Sequence, residues 1–391
     1  MVRSFTFQAP PNILFQRGAS RNVGELIANF DARRVMLVTG KIVRSAGLTA
    51  GAEASLAAAG IGVSIFEDVV TDCPSYAVEA AVAACRADSI DVVLSIGGGS
   101  VLDTAKLVAY LAKTPDRLDD IYGVGLAKGQ RLPLLLAPTT AGTGSEVTPI
   151  AIVTTPTAQK KGVVSSVLIP DWAILDAELT LSLPAFVTAA TGIDAMVHAI
   201  EAYTSRHRKN PMSDQFARQA LCLLSANVRR VCEDGQDIEA RSQMLLGSML
   251  AGMAFANAPV AAVHALAYPI GTSFHVPHGV SNALMLTQVL RFNLPAAELL
   301  YAELAPIVDF QAVNLVVAER ARLFVDAMAA ICRDCEIPLS LAEVGIGAQD
   351  LNKLAGEAMK QTRLLVNNPR EVRFEDALAI YRDALGDRMP P

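Results

Sequence analysis

The amino-acid sequence predicts an α/β amino-terminal domain with a parallel sheet, followed by an all-helical carboxyl-terminal domain. The chain has 391 residues, which exceeds the size at which one hydrophobic core usually stops growing. Short apolar runs alternate with amphipathic stretches at first, whereas helical periodicity dominates after Leu183-Pro184. We therefore expect two domains, at residues 1–180 and 181–391.

Strands and helices are expected to alternate along the first domain. Apolar runs bounded by turn residues predict strands at 34–39, 61–66, 91–96 and 132–136. Helices are predicted between the first three of these strands, at 48–59 and 76–87. Such alternation is typical of a parallel sheet with helices on both faces, in which ligands bind beyond the carboxyl ends of the strands.

Composition and charge argue against several classes of protein. Hydrophobic residues make up 52% of the chain and aromatic residues 5%, which indicates a packed core rather than disorder. The net charge of -6 is scattered, without the basic stripe that follows a nucleic-acid backbone. No segment resembles a signal peptide or reaches about 18 uninterrupted apolar residues. We expect a cytoplasmic protein that binds neither nucleic acid nor membrane.

A glycine-rich turn, Gly97-Gly98-Gly99-Ser100, lies between the third predicted strand and a helix that begins near Val101. Free backbone N–H groups and the helix dipole favour an anion such as a pyrophosphate there. Ser100 is a candidate helix cap or phosphate donor. The turn is not the Rossmann fingerprint, because Leu102 replaces its third glycine and the turn follows the third strand.

A second loop, from Thr139 to Glu146, concentrates hydroxyls and glycines after the strand at 132–136. This composition is expected where a nucleotide lies across a sheet edge. Two such loops on one sheet indicate a dinucleotide, although solvent-exposed turns have a similar composition.

An acidic residue and three histidines in the second half form a candidate metal site. Asp194 and His198 are four residues apart in a predicted helix, so they share one face. His264 lies in a second, apolar helix, and His278 lies in a predicted loop between Pro277 and Gly279. A surface pair and a hydrogen-bonded core histidine are the structural alternatives. This ligand set suits Fe(II), Zn(II), Co(II) or Mn(II).

A metal beside a dinucleotide suggests a specific chemistry. The ion would polarise the oxygen of an alcohol, and the carbinol hydride would pass to the nicotinamide. The sequence therefore predicts a metal-dependent oxidoreductase that uses NAD or NADP.

The chain resembles the iron-containing (group III) alcohol dehydrogenases. The motifs that carry the resemblance lie at 97–106, 138–146, 191–203 and 250–279, and the likeness extends to 367–370. It implies metal ligation by Asp194, His198, His264 and His278. It also implies cofactor contacts from Gly97, Gly98, Gly99, Ser100, Asp103, Thr139, Thr140, Thr143 and a lysine. That lysine is Lys160 or Lys161, and counting back from Pro170 favours Lys160.

Two departures from the family pattern concern the cofactor and the proton path. Many members have an Asp where this chain has Gly40, followed here by Lys41. The missing carboxylate and the added lysine predict that NADP is tolerated or preferred. The family often has a histidine where this chain has Tyr268. Tyr268 and His275 are the candidates for a substitute proton relay, with packing and solvent exposure as their structural alternatives.

The resemblance also implies a small alcohol/aldehyde or ketone substrate and a homodimer. Within the same architecture, a maleylacetate-reductase-like reductase and a dehydroquinate-synthase-like lyase are the alternatives. The four intact ligands argue against the metal-free reductases, and the Asp194–His198 pair resembles the alcohol dehydrogenases more than the synthases. A non-catalytic metal-binding or nucleotide-binding protein is the alternative from another class.

Overall fold

The computed structural model describes residues 4–157 and 159–386. The chain divides into two compact units, one at residues 8–182 and one that begins at residue 183. Residues 4–7 belong with the second unit, where the ring centroids of Phe7 and Phe216 lie 5.5 Å apart. The division thus falls close to the domain boundary proposed from the sequence.

The first unit contains a six-stranded parallel sheet. Its strands are β1 (Asn12–Phe15), β2 (Arg34–Val38), β3 (Gly62–Phe66), β4 (Val92–Gly97), β6 (Leu134–Pro138) and β9 (Trp172–Leu175). Their order across the sheet is β1-β9-β6-β4-β2-β3, and all neighbours run parallel. The central strands β4 and β6 are buried throughout, as expected of a parallel sheet covered on both faces.

Five helices and a small second sheet complete this unit. The helices are α1 (Val23–Ala28), α2 (Lys41–Ser45), α3 (Ala50–Ala58), α4 (Ser75–Ala87) and α5 (Gly99–Leu111). The small sheet has the order β5-β8-β7, from β5 (Gly123–Val124), β7 (Ile150–Thr154) and β8 (Lys160–Val164). The sequence did not predict this sheet, nor the edge strand β1 and its neighbour β9.

The winding direction of the large sheet reverses between β2 and β4. Along the chain, β3 is added on one side of β2 and β4 on the other. The Thr39 hydroxyl, just after β2, donates to the Ile96 carbonyl in β4 at 2.8 Å. Ligands of open α/β sheets bind at such a switch point, outside the carboxyl ends of the strands.

The second unit is helical. Its helices are α6 (Ala185–Thr204), α7 (Pro211–Glu233), α8 (Ile238–Asn257), α9 (Ala262–Phe274), α10 (His278–Val308), α11 (Val317–Asp334), α12 (Leu351–Met359), α13 (Thr362–Leu365) and α14 (Phe374–Leu385). Most residues of α6 are buried, so this helix lies in the interior of the unit. The predicted fold class, an α/β domain followed by an all-helical domain, is confirmed.

Within the described ranges, we find no single helix long and apolar enough to span a membrane. The pair α8 and α9 has the length and composition of a broken span, with a 106° bend.

Candidate metal centre and nucleotide-binding edge

Three helices bring the four predicted metal ligands together. Asp194 and His198 lie one turn apart on α6, and His264 lies in the first turn of α9. His278 is the first residue of α10, so the sequence-based assignment of His278 to a loop is wrong. Pro277 precedes the helix as its cap residue, and a proline there fixes where the helix starts. The prolines and glycines around His278 mark a helix start rather than a loop.

Gly279 allows α10 to approach α6. A Cβ atom at Gly279 would lie 2.3 Å from the carbonyl oxygen of Ala190. Every other residue type has a Cβ and would clash there. Ala190 is one turn before Asp194 on α6. The glycine therefore lets His278 come next to Asp194 through close backbone packing.

The ligand atoms of the four residues surround one point. Oδ1 of Asp194 lies 4.0 Å from Nε2 of His198, 3.8 Å from Nε2 of His264 and 3.7 Å from Nε2 of His278. Ligand atoms of Asp194, His198 and His264 all lie within 4.8 Å of one another. These three residues are buried, whereas the His278 side chain is 34% exposed. The site therefore opens on the side of His278.

The charge of Asp194 is favoured despite its burial. Burial by itself raises the pKa of this carboxyl, but the charge that His198, His278 and His264 carry when they are protonated outweighs that effect. A hydrogen bond from Asn282 acts in the same direction, and the pKa of Asp194 lies below its ordinary value. Asp194 is thus ionised at neutral pH.

Asn282 was not predicted as a site residue, yet its amide lies inside the cluster. Its Nδ2 donates to Oδ1 of Asp194 at 2.6 Å and lies 3.2 Å from Nε2 of His264 and 3.3 Å from Nε2 of His278. Its Oδ1 is buried and accepts no hydrogen bond from the residues described. Asn282 follows His278 by one helical turn, so the two share a face once α10 is known to begin at His278.

This arrangement fits a divalent cation. One carboxylate and three imidazoles are ligands that iron and zinc accept. Nδ2 of Asn282 lies within 3.3 Å of ligand atoms of Asp194, His264 and His278. These atoms therefore face a common space, which a cation would fill. The orphaned Asn282 oxygen is a further buried acceptor beside that space.

Of the two candidates for a proton relay, the structure brings Tyr268 to the cluster and leaves His275 outside it. The Tyr268 ring centroid lies 5.8 Å from that of His278 and 6.4 Å from that of His264. His275 is exposed and caps the end of α9 with a left-handed backbone, at a φ of 56°. The ring of Phe255 stacks on His198 at 4.3 Å and covers another side of the centre.

The first unit brings the two predicted nucleotide-binding loops together. They follow the adjacent parallel strands β4 and β6, and the Thr139 N–H donates to the Gly97 carbonyl at 2.9 Å. A Cβ at Gly99 would lie 2.7 Å from Cγ2 of Thr143, and one at Gly98 would lie 3.6 Å from Cγ2 of Thr140. Gly99 is thus required for the contact between the loops.

Ser100 does not cap the helix that follows. It is the second residue of α5, whose cap residue Gly98 has no side chain. The Ser100 hydroxyl oxygen accepts the Asp72 N–H at 3.1 Å, which leaves its hydroxyl hydrogen available as a donor.

Asp103 lies within a polar network that links α5 to the second loop. Its carboxylate accepts the Ser145 hydroxyl at 2.6 Å and the Ile152 N–H at 2.9 Å. Its Oδ1 also lies 3.5 Å from Nζ of the fully buried Lys106. These contacts hold the loop that bears Thr143 in position.

Each position that the sequence proposed for the cofactor's charge or selectivity has a definite partner. Lys160 forms an ion pair with Asp72 at 2.6 Å and is thereby linked to Ser100, whereas Lys161 lies over the Tyr122 ring at 5.1 Å. Lys41 pairs with Asp68 at 2.6 Å, and Gly40 forms a β-bridge with the same Asp68. The carboxylate of Asp68 thus lies beside the end of β2, where the sequence alone showed only Gly40 and Lys41.

Comparisons with known proteins agree with the fold. The model of "Iron-containing alcohol dehydrogenase" matches residues 10–177, and that of "Fe-containing alcohol dehydrogenase family, C-terminal" matches residues 188–385. Long-chain-alcohol dehydrogenase 1 of Geobacillus thermodenitrificans is 38% identical, covering 92% of this chain and 91% of its own. NAD-dependent methanol dehydrogenase of Bacillus methanolicus is 33% identical, covering 97% and 99%. The crystal structure of a 1,3-propanediol oxidoreductase superposes with a TM-score of 0.95 at 33% identity, covering 98% and 100%.

These matches define the class of the protein as an oxidoreductase acting on alcohols. The chain belongs to the iron-containing alcohol dehydrogenase family. The predicted family resemblance and the predicted alcohol dehydrogenase activity are confirmed.

Proposed function

We propose that this enzyme interconverts a small alcohol and its aldehyde or ketone with NAD or NADP, using a divalent ion, Fe(II) or Zn(II), held by Asp194, His198, His264 and His278. The observation that carries the proposal is the convergence of three imidazole Nε2 atoms, within 3.7–4.0 Å, on one oxygen of Asp194. When bound, the ion supplies Lewis-acid polarisation of the substrate oxygen and the nicotinamide takes up or returns the hydride.

The charges of the ligands suit this chemistry. Asp194 contributes the only formal negative charge of the four, because neutral imidazoles are the form that binds a metal. A divalent ion in this site keeps a net positive charge toward the substrate. Burial of Asp194, His198 and His264 strengthens that effect by excluding water.

We propose that the edge formed by the first turn of α5 and the loop at 139–146 binds the dinucleotide. Free N–H groups at the start of α5 favour the pyrophosphate. Gly97, Gly98 and Gly99 present no side chains at this edge, and Ser100 retains a hydroxyl donor. Thr139, Thr140 and Thr143 offer hydroxyls from the second loop, and Lys160 offers a cation next to Asp72.

Tyr268 is the better placed proton-relay candidate, because its ring lies against His278, the exposed side of the centre. His275 is exposed and turned outward at the end of α9. Tyr268 can orient the substrate oxygen or pass its proton toward solvent.

We propose that NADP is accepted alongside NAD. Gly40 provides no carboxylate at the end of β2, and Lys41 provides a cation. The pairing of Lys41 with Asp68 opposes this effect, since a 2′-phosphate has to displace Asp68 from the lysine. A homodimer in the cytoplasm, as proposed from the sequence, completes this assignment.

The metal requirement can be tested by depletion and reloading. Chelator-treated protein is reloaded anaerobically with Fe(II) or Zn(II) and assayed at 340 nm with a panel of alcohols and both cofactors. We expect activity to return with the ion. We also expect His264→Ala to lower kcat/KM by at least about 100-fold, because loss of a residue that merely holds a metal ligand already costs about 10- to 100-fold.

His207→Ala is the matched control, because His207 is exposed and lies outside the cluster. It should keep full activity and full metal content. Equal activity of the metal-depleted and reloaded enzymes, or an active His264→Ala variant, would contradict the proposal.

A further inference from the structure

We propose that Glu201 is a positioning residue that fixes the orientation and the tautomer of His264. The inference rests on the proposed metal centre. Oε2 of Glu201 lies 2.7 Å from Nδ1 of His264, the nitrogen that points away from the cluster. Glu201 is 4% exposed and His264 is 2% exposed. The pair is therefore shielded from water, and a hydrogen bond is stronger in such a buried environment.

The position of Glu201 follows from the helix that also bears two ligands. Glu201 lies three residues after His198 and seven after Asp194, so all three residues project from one face of α6. The face points toward the start of α9, where His264 lies. One helix thus supplies two ligands and the carboxylate that holds a third.

Glu201 has a second contact that fixes its own orientation. Its Oε1 accepts the N–H of Val263 at 2.7 Å. Val263 lies in the first turn of α9, whose cap residue Ala261 offers no side-chain hydrogen bond. The carboxylate therefore satisfies a free N–H at the start of α9, and both of its oxygens are engaged.

The hydrogen-bonding partners of His264 define its tautomer. A carboxylate only accepts hydrogen bonds, so Nδ1 of His264 must carry a proton and donate it in the hydrogen bond to Glu201. Nε2 lies 3.2 Å from Nδ2 of Asn282, which can donate to it, so a neutral His264 has its bare nitrogen on this side. The bare nitrogen is the one directed at Asp194. This is the state that a metal ligand requires.

The substitution Glu201→Gln tests this role with little change in shape. Glutamine has a single acceptor oxygen. When that oxygen accepts from Val263, the amide NH2 faces His264 and turns Nδ1 into an acceptor. The ring proton then moves to Nε2, and a metal must displace it in order to bind. We expect the Kd for Zn(II), measured by chelator competition, to rise roughly 10–100-fold.

Nitrogen NMR of protein labelled with 15N-histidine provides a second, independent measurement. In the metal-free wild type, we expect Nε2 of His264 to show the shift of a bare nitrogen. In Glu201→Gln, it should show the shift of a protonated nitrogen. A role limited to capping α9 would leave the tautomer unchanged. The wild-type spectrum alone is decisive if the variant does not fold.

Tyr203→Phe is the matched control. Tyr203 lies two residues after Glu201 on the same helix, is buried, and donates its hydroxyl to Glu303 rather than to a ligand residue. Its loss should leave both the Zn(II) affinity and the His264 tautomer as in the wild type.

The outcomes separate this inference from the proposed function. A wild type that binds Zn(II) no better than His264→Ala contradicts the metal centre, and the wild-type tautomer still tests the contact with Glu201. A wild type that binds Zn(II), together with a Glu201→Gln variant of equal affinity and unchanged tautomer, overturns the role of Glu201 and leaves the metal centre intact. Protonated Nε2 in the wild type overturns it as well.

Discussion

Lys106 and Glu146 are both buried in the first unit, but only Lys106 has a full set of hydrogen bonds. Nζ of Lys106 donates to Ser145 at 2.8 Å, to Thr148 at 3.1 Å and to the Ile150 carbonyl at 2.6 Å. Both carboxylate oxygens of Glu146 are buried without a well-formed hydrogen bond from the described residues. Burial raises the pKa of Glu146 to about 7, although its own backbone N–H and the charge of Lys106 oppose the shift. Glu146 is therefore a source of pH-dependent stability.

The sign of this effect follows from proton linkage. Below its ordinary pKa of 4.5, Glu146 is protonated in both the folded and the unfolded chain. As the pH rises toward 7, the unfolded chain releases the proton more readily than the folded one, so the free energy of unfolding falls. The loss amounts to about 3 kcal/mol at 1.36 kcal/mol per pKa unit. We expect Glu146→Gln to abolish this loss between pH 5 and pH 8.

Urea unfolding of metal-free protein, followed by fluorescence, measures this change. Trp172 is the one tryptophan of the chain and lies on β9, so it reports on the unit that contains Glu146. Comparison of each protein with itself at the two pH values cancels the cost of burying the glutamine amide. Glu79→Gln, an exposed acid on α4, serves as the control. Equal pH dependence in the wild type and Glu146→Gln would show that Glu146 is ionised throughout.

The proposed use of NADP depends on single residues. A bound 2′-phosphate would compete with Asp68 for Lys41, and both side chains are exposed, at 66% for Asp68 and 70% for Lys41. Exposed ion pairs contribute up to about 1 kcal/mol, so removing Asp68 has a modest effect. We expect Asp68→Asn to raise kcat/KM for NADP about 2- to 5-fold and Lys41→Ala to lower it about 10-fold. The values for NAD should change by less than about 2-fold.

Arg44→Ala controls for a general change of charge, because Arg44 lies on the same short helix and pairs with Glu67. It should leave the ratio of the two cofactors unchanged. A strong preference for NAD that neither Asp68→Asn nor Lys41→Ala alters would contradict the assignment of Lys41 to a 2′-phosphate.

At the scale of elements, the sequence predicted the strands whose own residues form a clear apolar pattern. The strands β2, β3, β4 and β6 are largely apolar, and they lie within one to two residues of the predicted bounds. No residue of the edge strand β1 is buried, and β5 and β8 of the small sheet bury one residue between them. Such exposed strands are stabilised by their neighbours in the fold, which a local pattern does not contain.

The residues of the candidate metal centre follow from the sequence, but their geometry does not. Spacing placed Asp194 and His198 on one face of α6, which the structure bears out. The start of α10 at His278 depends on a close approach to Ala190, a tertiary contact. Asn282 and Glu201 escaped notice because an amide and a second acid are unremarkable in a helix until their partners are known.

At the scale of the whole molecule, each candidate site lies in one unit with its own core. The four candidate metal ligands come from α6, α9 and α10, and the candidate nucleotide-binding loops follow β4 and β6. The general layout was predictable, because strand-helix alternation and helical periodicity differ along the chain. The convergence of side chains from separate helices was not, since it depends on how the helices pack.

This layout predicts where each ligand stabilises the protein. A ligand at about 100 times its Kd stabilises the state that binds it by about 2.7 kcal/mol, which slows exchange through opening of its site roughly 100-fold. We expect Zn(II) to slow amide hydrogen exchange in α6, at the start of α9 and at the start of α10. NAD should slow it in the first turn of α5 and at 139–146. In His264→Ala, the effect of Zn(II) should disappear while that of NAD persists. Protection by Zn(II) that survives His264→Ala, or that appears first in α5, would place the metal elsewhere.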